Sequence, residues 1–160
     1  MRTYITIIGV IKFSECILIL RRSATRDYYP DKWQPVTGFV RERETAEEAV
    51  LREVREETGL DGHIIRTGKV IEVADEGSRW IIVPFLVEVG SMTVTIDLKE
   101  HSEFRWINPR DIVKYTSAPG TEEALKSLGY GEREVREALK KVSGVTDTGE
   151  KVKKALKLLS

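Results

Sequence analysis

The sequence predicts an α+β domain followed by a helical tail, and three observations predict it. Runs rich in β-branched residues, "TYITIIGVI" (3–11), "CILILRR" (16–22) and "RWIIVPFLVEV" (79–89), surround one amphipathic helical segment at 45–58. "TSAPG" (116–120) then punctuates the chain. Beyond it the apolar residues recur at helical spacing. A chain of 160 residues holds one domain with a core and a small appendage. The expected boundaries are 1–116 and 117–160.

The elements follow in order. The first two runs read as strands, and "SATRDYYPDKWQPVTG" (23–38) reads as a long polar and aromatic loop of the kind that often carries function. Thr45 and Glu48 form a capping box at the start of the helix, and Gly59-Leu60 is its stop. Ala46, Val50, Leu51 and Val54 form its apolar side. "HIIRTGKVIEV" (63–73) reads as one strand, and "MTVTIDL" (92–98) and "FRWI" (104–107) as short ones. "NPRDIVKY" is a helical turn opened by Asn108, with Pro109 at its first position. The tail divides into helices at 121–128, 132–142 and 149–159. In the second, Val135, Ala138, Leu139 and Val142 make an apolar stripe, and in the third Val152, Ala155, Leu156 and Leu159 do the same.

Composition narrows the function classes. Lys+Arg and Asp+Glu balance at 26 each, which argues against a nucleic-acid or membrane binder. The single cysteine, Cys16, sits in an apolar run and reads as a buried core thiol. No apolar stretch reaches membrane-spanning length, and the N-terminus lacks a signal-peptide pattern, so a cytoplasmic protein is expected.

Glu53, Glu56 and Glu57 crowd one face of the helix, at spacings of three and four. Glu57 also follows Val54 by three, which turns it toward the edge of the apolar stripe, where an unpaired carboxylate is costly. On the helix alone, a solvated charged face neutralised by Arg52 and Arg55 explains this pattern best. A divalent cation with hard oxygen ligands is the other reading.

The wider spacing favours the cation. Gly38 to Leu60 reads G-x5-E-x7-R-E-V-x-E-E-x-G-L, which resembles the Nudix box at every defining position. The flanking strand order resembles a Nudix domain over roughly 3–116. The resemblance implies a mixed sheet between helices, an α/β/α sandwich, and a hydrolase of a nucleoside diphosphate linked to another group. It implies Mg²⁺, with Mn²⁺ as a substitute, held by Glu53, Glu56 and Glu57 and by the Gly38 carbonyl. Glu44 pairs with Arg52 to orient the helix, and Gly59 ends it. The catalytic base stays open among Glu53, Glu56 and Glu100, with Glu103 as a competing acid. His101 reads as structural.

"WQPVTG" (33–38) and "EHSEFRWI" (100–107) resemble Nudix pyrophosphohydrolases of dihydroneopterin triphosphate or dATP. That implies a triphosphate cleaved to monophosphate and pyrophosphate. ADP-ribose or dinucleoside polyphosphate cleavage is the alternative, and a nucleotide sensor without turnover is the second. Arg21, Arg22, Arg26 and Lys32 are candidates for phosphate contacts. Tyr28, Tyr29 and Trp33 are candidates for stacking on a base or pterin. Trp80 and Trp106 read as core residues. "LKSLGY" (125–130) and the helices after it resemble the small C-terminal domain of RuvA. Such bundles imply a protein partner. Helices that cover the sheet or join two copies of the chain are the competing reading.

Overall fold

The structure is a computed structural model that describes residues 1–131 of the chain. It divides into two compact units, Met1–Leu128 and Gly129–Ser160. The expected helices at 132–142 and 149–159 lie outside the described residues.

The first unit is built on an eight-stranded mixed sheet. Its central path runs β3 (Trp33–Gln34), β2 (Cys16–Arg22), β1 (Arg2–Phe13), β7 (Ser78–Val89) and β5 (Gly62–Thr67). Off this path, β4 (Val36–Phe39) pairs with β1, β6 (Ile71–Asp75) with β7, and β8 (His101–Ile107) with β2. The β1–β7 pair is parallel and the other pairs are antiparallel. Alternation along β1 sends Ile7 and Ile11 to one face, where they join Val50 and Val54 of helix α1 (Ala46–Thr58), Phe85 and Val87 in the core. Thr6 and Ile8 point to the other face and line a pocket. Helix α2 (Thr121–Ser127) buries Ala124 and Leu125, and Ser127 Oγ accepts from the Lys69 amide. The compact unit therefore continues past residue 120 and includes the first tail helix.

Local chemistry sets the ends of α1. Thr45 Oγ1 accepts from the Glu48 amide while the Glu48 carboxylate accepts from the Thr45 amide, so both partners of the capping box are present. Gly59 closes the helix at φ 73°, a left-handed turn that glycine enters without steric cost. The buried side differs from expectation: Ala49, Val50, Val54 and Glu57 are buried, while Ala46 and Leu51 are only partly so.

Other expectations are corrected. The 63–73 run is two strands, β5 and β6, because the chain turns through Gly68 and both pair with β7. Segment 92–98 is not a strand. It crosses the end of α1, tied by the Thr95 amide to the Thr58 carbonyl, and packs Val94 and Ile96 on the core with no strand neighbour. The 23–38 loop ends in two short strands, β3 and β4. Cys16, at the very start of β2, is half-buried. Asn108 does cap a turn, of 3-10 type, at Pro109–Lys114.

Candidate active site

The C-terminal half of α1 meets β4 at one end of a pocket of about 420 Å³. Glu53 and Glu57 line that end, and Glu100 joins them from the segment before β8. Glu57 is 7% exposed, and one of its carboxylate oxygens is buried without a hydrogen-bond partner. Burial, and then the charges of Glu53 and Glu100, push its carboxyl well above the usual carboxylate range. Arg26 and a backbone hydrogen bond from Thr37 pull the other way. Burial also raises Glu53, against the hydrogen bond and charge of Arg52. A side chain on Gly38 would collide with the Glu53 carboxylate, so only glycine lets β4 approach the helix here.

Arg52 holds the helix to the preceding loop. It donates to Glu44 at 2.7 and 2.9 Å, to Glu53 at 2.7 Å and to the Phe39 carbonyl at 3.1 Å. This fork, with the Arg41 amide, lowers the Glu44 carboxyl to about 2. Glu56 lies off the pocket lining. Its carboxylate is exposed and pairs with Arg52 at 3.2 Å and Arg41 at 3.6 Å.

Cations face the carboxylates. Arg22 and Arg26 line the pocket, Arg26 lies 3.7 Å from Glu100, and Arg22 donates to the Tyr28 carbonyl at 2.8 Å. A register shift between Arg21 and Arg22 separates these neighbours. Arg21 lies off the pocket lining, bonded to Glu103 at 3.0 Å. His101, paired with Arg22 across the strands, is 2% exposed, and neither ring nitrogen has a partner. Burial, and then Arg26 and Arg22, lower it to about 4, so it is a neutral buried residue near pH 7.

The pocket is also lined by aromatic rings. Trp80 stacks on Tyr4 at 4.6 Å, with Tyr28 at 5.2 Å edge-on and Phe39 at 6.2 Å. Tyr28, Tyr29, Phe39 and Trp80 all line the pocket. Trp33 does not. It is buried edge-on to Tyr115, with the Arg105 guanidinium over its ring. Trp80 and Phe39 are the site residues that sequence reasoning missed. The parallel register of Tyr4 with Trp80 brings these aromatics together, and that pairing is long-range. Trp106 packs against the core and donates to the Met92 carbonyl.

The donor set fits a divalent cation. An orphaned buried carboxylate oxygen beside two further carboxylates is costly unless a positive charge meets it. Among the described residues, no three acidic, His or Cys side chains are already gathered into a closed metal cage. A hard divalent cation tolerates this when it keeps waters and completes its shell with ligand oxygens.

Comparison with known proteins adds a third line. The family model described as NUDIX domain matches residues 2–128, and that described as RuvA, C-terminal domain, matches 121–160. A dihydroneopterin triphosphate diphosphatase of Haemophilus influenzae is 28% identical over 121 residues, covering 65% of this chain and 75% of that protein. Nucleoside triphosphatase NudI of Escherichia coli is 26% identical over 140 residues, covering 81% of this chain and 99% of its own. Among solved structures, a MutT NUDIX hydrolase from Burkholderia pseudomallei superposes with a TM-score of 0.69 at 23% identity, over 79% of this chain and 98% of that one. The E. coli dihydroneopterin triphosphate pyrophosphohydrolase gives 0.59 at 25% identity, over 78% and 96%.

Proposed function

The chain belongs to the NUDIX domain family and is a pyrophosphohydrolase, and from that premise we propose that it cleaves a nucleoside or pterin triphosphate to monophosphate and pyrophosphate with Mg²⁺. The observation that carries this reading is one pocket lined by two chemically distinct sets of residues. Buried Glu57 lines it together with Glu53, Glu100, Arg22 and Arg26, and so do the rings of Tyr28, Tyr29, Phe39 and Trp80. A ligand with a polyphosphate and a flat ring matches both. The relatives whose names specify a dihydroneopterin triphosphate and a nucleoside triphosphate support the same class.

Glu53, Glu56 and Glu57, with the Gly38 carbonyl, would hold the cation. Bound there, a cation would supply charge neutralisation at the phosphate oxygens, which eases attack by water on phosphorus. Arg22 and Arg26 neutralise the remaining phosphate charge. Arg26 exchanges its 3.7 Å contact with Glu100 for phosphate, which frees that carboxylate. Glu53 and Glu100 line the pocket, which supports either of them as the acceptor of the proton from water, while Glu56 lies off that lining.

A substrate panel tests this. It covers the common triphosphates, dihydroneopterin triphosphate, ADP-ribose and a dinucleoside polyphosphate, with Mg²⁺ or Mn²⁺ and Glu57→Gln as the blank. Pyrophosphate from a triphosphate is the expected product. AMP from ADP-ribose or a dinucleotide, with no triphosphate turned over, would overturn the substrate class.

A further inference from the structure

We propose that Trp80 reads the edge of the substrate's ring: its indole N–H donates to an acceptor on a fused heterocycle and selects an oxo-bearing ring over an amino-bearing one. This deepens the triphosphate reading and rests on it.

Trp80 Nε1 is buried and has no hydrogen-bond partner. A buried donor in that state is rare, and it marks a place where something else completes the bond. The contrast within the chain is Trp106, whose Nε1 donates to the Met92 carbonyl at 3.2 Å. Trp80 cannot readily rotate to find a partner of its own. Tyr4 stacks on one face at 4.6 Å and 25°, Tyr28 abuts it edge-on at 5.2 Å, and Phe39 flanks it at 6.2 Å. The indole is thus held on the pocket wall by three rings.

Its place fits the ring end of a nucleotide. Phe39 follows Gly38 directly, and Gly38 abuts Glu53 at the carboxylate end. A ligand whose phosphates meet Glu53 and Glu57 would lay its heterocycle toward Phe39 and Trp80. Tyr28 is 44% exposed on the 23–32 loop, where Tyr29 and Asp31 hold left-handed φ of 49° and 62°. A ligand that reaches the indole edge would displace that exposed side chain from its edge-on contact with Trp80. An indole N–H is a donor only. A carbonyl oxygen on the ring satisfies it, whereas an exocyclic amino group turned to the same point sets donor against donor.

The test compares three purine rings, which carry a carbonyl, a hydrogen or an amino group at the same carbon. The wild-type protein with Mg²⁺ is given inosine triphosphate, purine riboside triphosphate, which lacks the carbonyl, and ATP. KM is expected to be about tenfold lower for the inosine nucleotide, with similar kcat. In Trp80→Phe, which keeps a ring but loses the N–H, that ratio should fall below about threefold. Equal KM for the inosine and purine riboside nucleotides in the wild type, an unchanged ratio in the variant, or a preference for ATP overturns the proposal. Should the variant fail to fold, the wild-type comparison still decides. Binding of the nucleosides inosine and purine riboside, followed by tryptophan fluorescence without metal, reads the same preference with no turnover. Absence of turnover would then remove only the functional reading. Equal or absent binding of the two nucleosides would overturn the role of Trp80.

Discussion

Glu57 concentrates the conflict between folding and function in one side chain. Its carboxyl is pushed up by burial and by Glu53 and Glu100, so its charged form opposes folding. A folded pKa above the unfolded one means stability that is present at low pH and lost as pH rises through the folded value. Glu57→Gln is therefore expected to melt higher than the metal-free wild type at pH 8, with an advantage that shrinks toward pH 5. Thermal melts across that range check it. The same variant is expected to lose most turnover, and to lose the rise in melting temperature expected of the wild type with Mg²⁺. Gly38→Ala should also lose turnover, because its methyl group would displace the Glu53 carboxylate. Melting near the wild-type temperature would show that the loss is local. These glutamates were legible in the sequence because the motif is contiguous on one helix. Trp80 was not, because its apolar neighbours read as core and only the β1–β7 pairing reveals the pocket beside it. Trp33 failed in the opposite direction. Its loop position suggested a ligand contact, yet it is buried against Tyr115.

Helix α1 is the element that fixes the site, and its two ends are secured by different chemistry. Thr45→Ala removes the capping bond to the Glu48 amide and should cost about 1 kcal/mol, measured by denaturant unfolding. It should leave KM near the wild-type value. Arg52→Lys should behave differently. A lysine cannot reproduce the two-pronged contact to Glu44 together with the bonds to Glu53 and Phe39. Turnover should fall more steeply than stability, since Glu53 loses its orienting partner. Equal losses in both quantities would count against a positioning role. The helix and its caps were readable from spacing alone, because capping is local. Strand pairing is not local. The 63–73 run read as one strand because its break at Gly68 is set by both halves pairing with β7.

Across the whole first unit, buried His101 and the ion-paired Glu44 are groups whose protonation opposes folding in acid. His101 is lowered to about 4 and Glu44 to about 2. Both folded values lie below the ordinary ones, so the stability they confer is present at neutral pH and lost as pH falls. For His101 the loss runs from 6.5 down to about 4, and for Glu44 from 4.5 down to about 2. His101→Leu should flatten the fall in melting temperature between pH 6.5 and 4. An unchanged slope would move the acid sensitivity to other groups. Among the described residues, those that line the pocket all lie within Met1–Leu128, and removing 132–160 is expected to leave kcat/KM unchanged. Among the described residues, no helix is long and apolar enough to cross a membrane. We propose that 129–160, within the part matched by the RuvA C-terminal family model, serves a protein partner or a second copy of the chain. Light scattering with and without 132–160 separates the two.

The most direct measurement is product analysis of triphosphate hydrolysis by wild type and Glu57→Gln, with Mg²⁺ and with chelator. Pyrophosphate and monophosphate from the wild type with Mg²⁺, and neither from the variant or the chelated enzyme, is the predicted result. Turnover that persists in Glu57→Gln, or that needs no divalent cation, would contradict a site centred on the buried carboxylate.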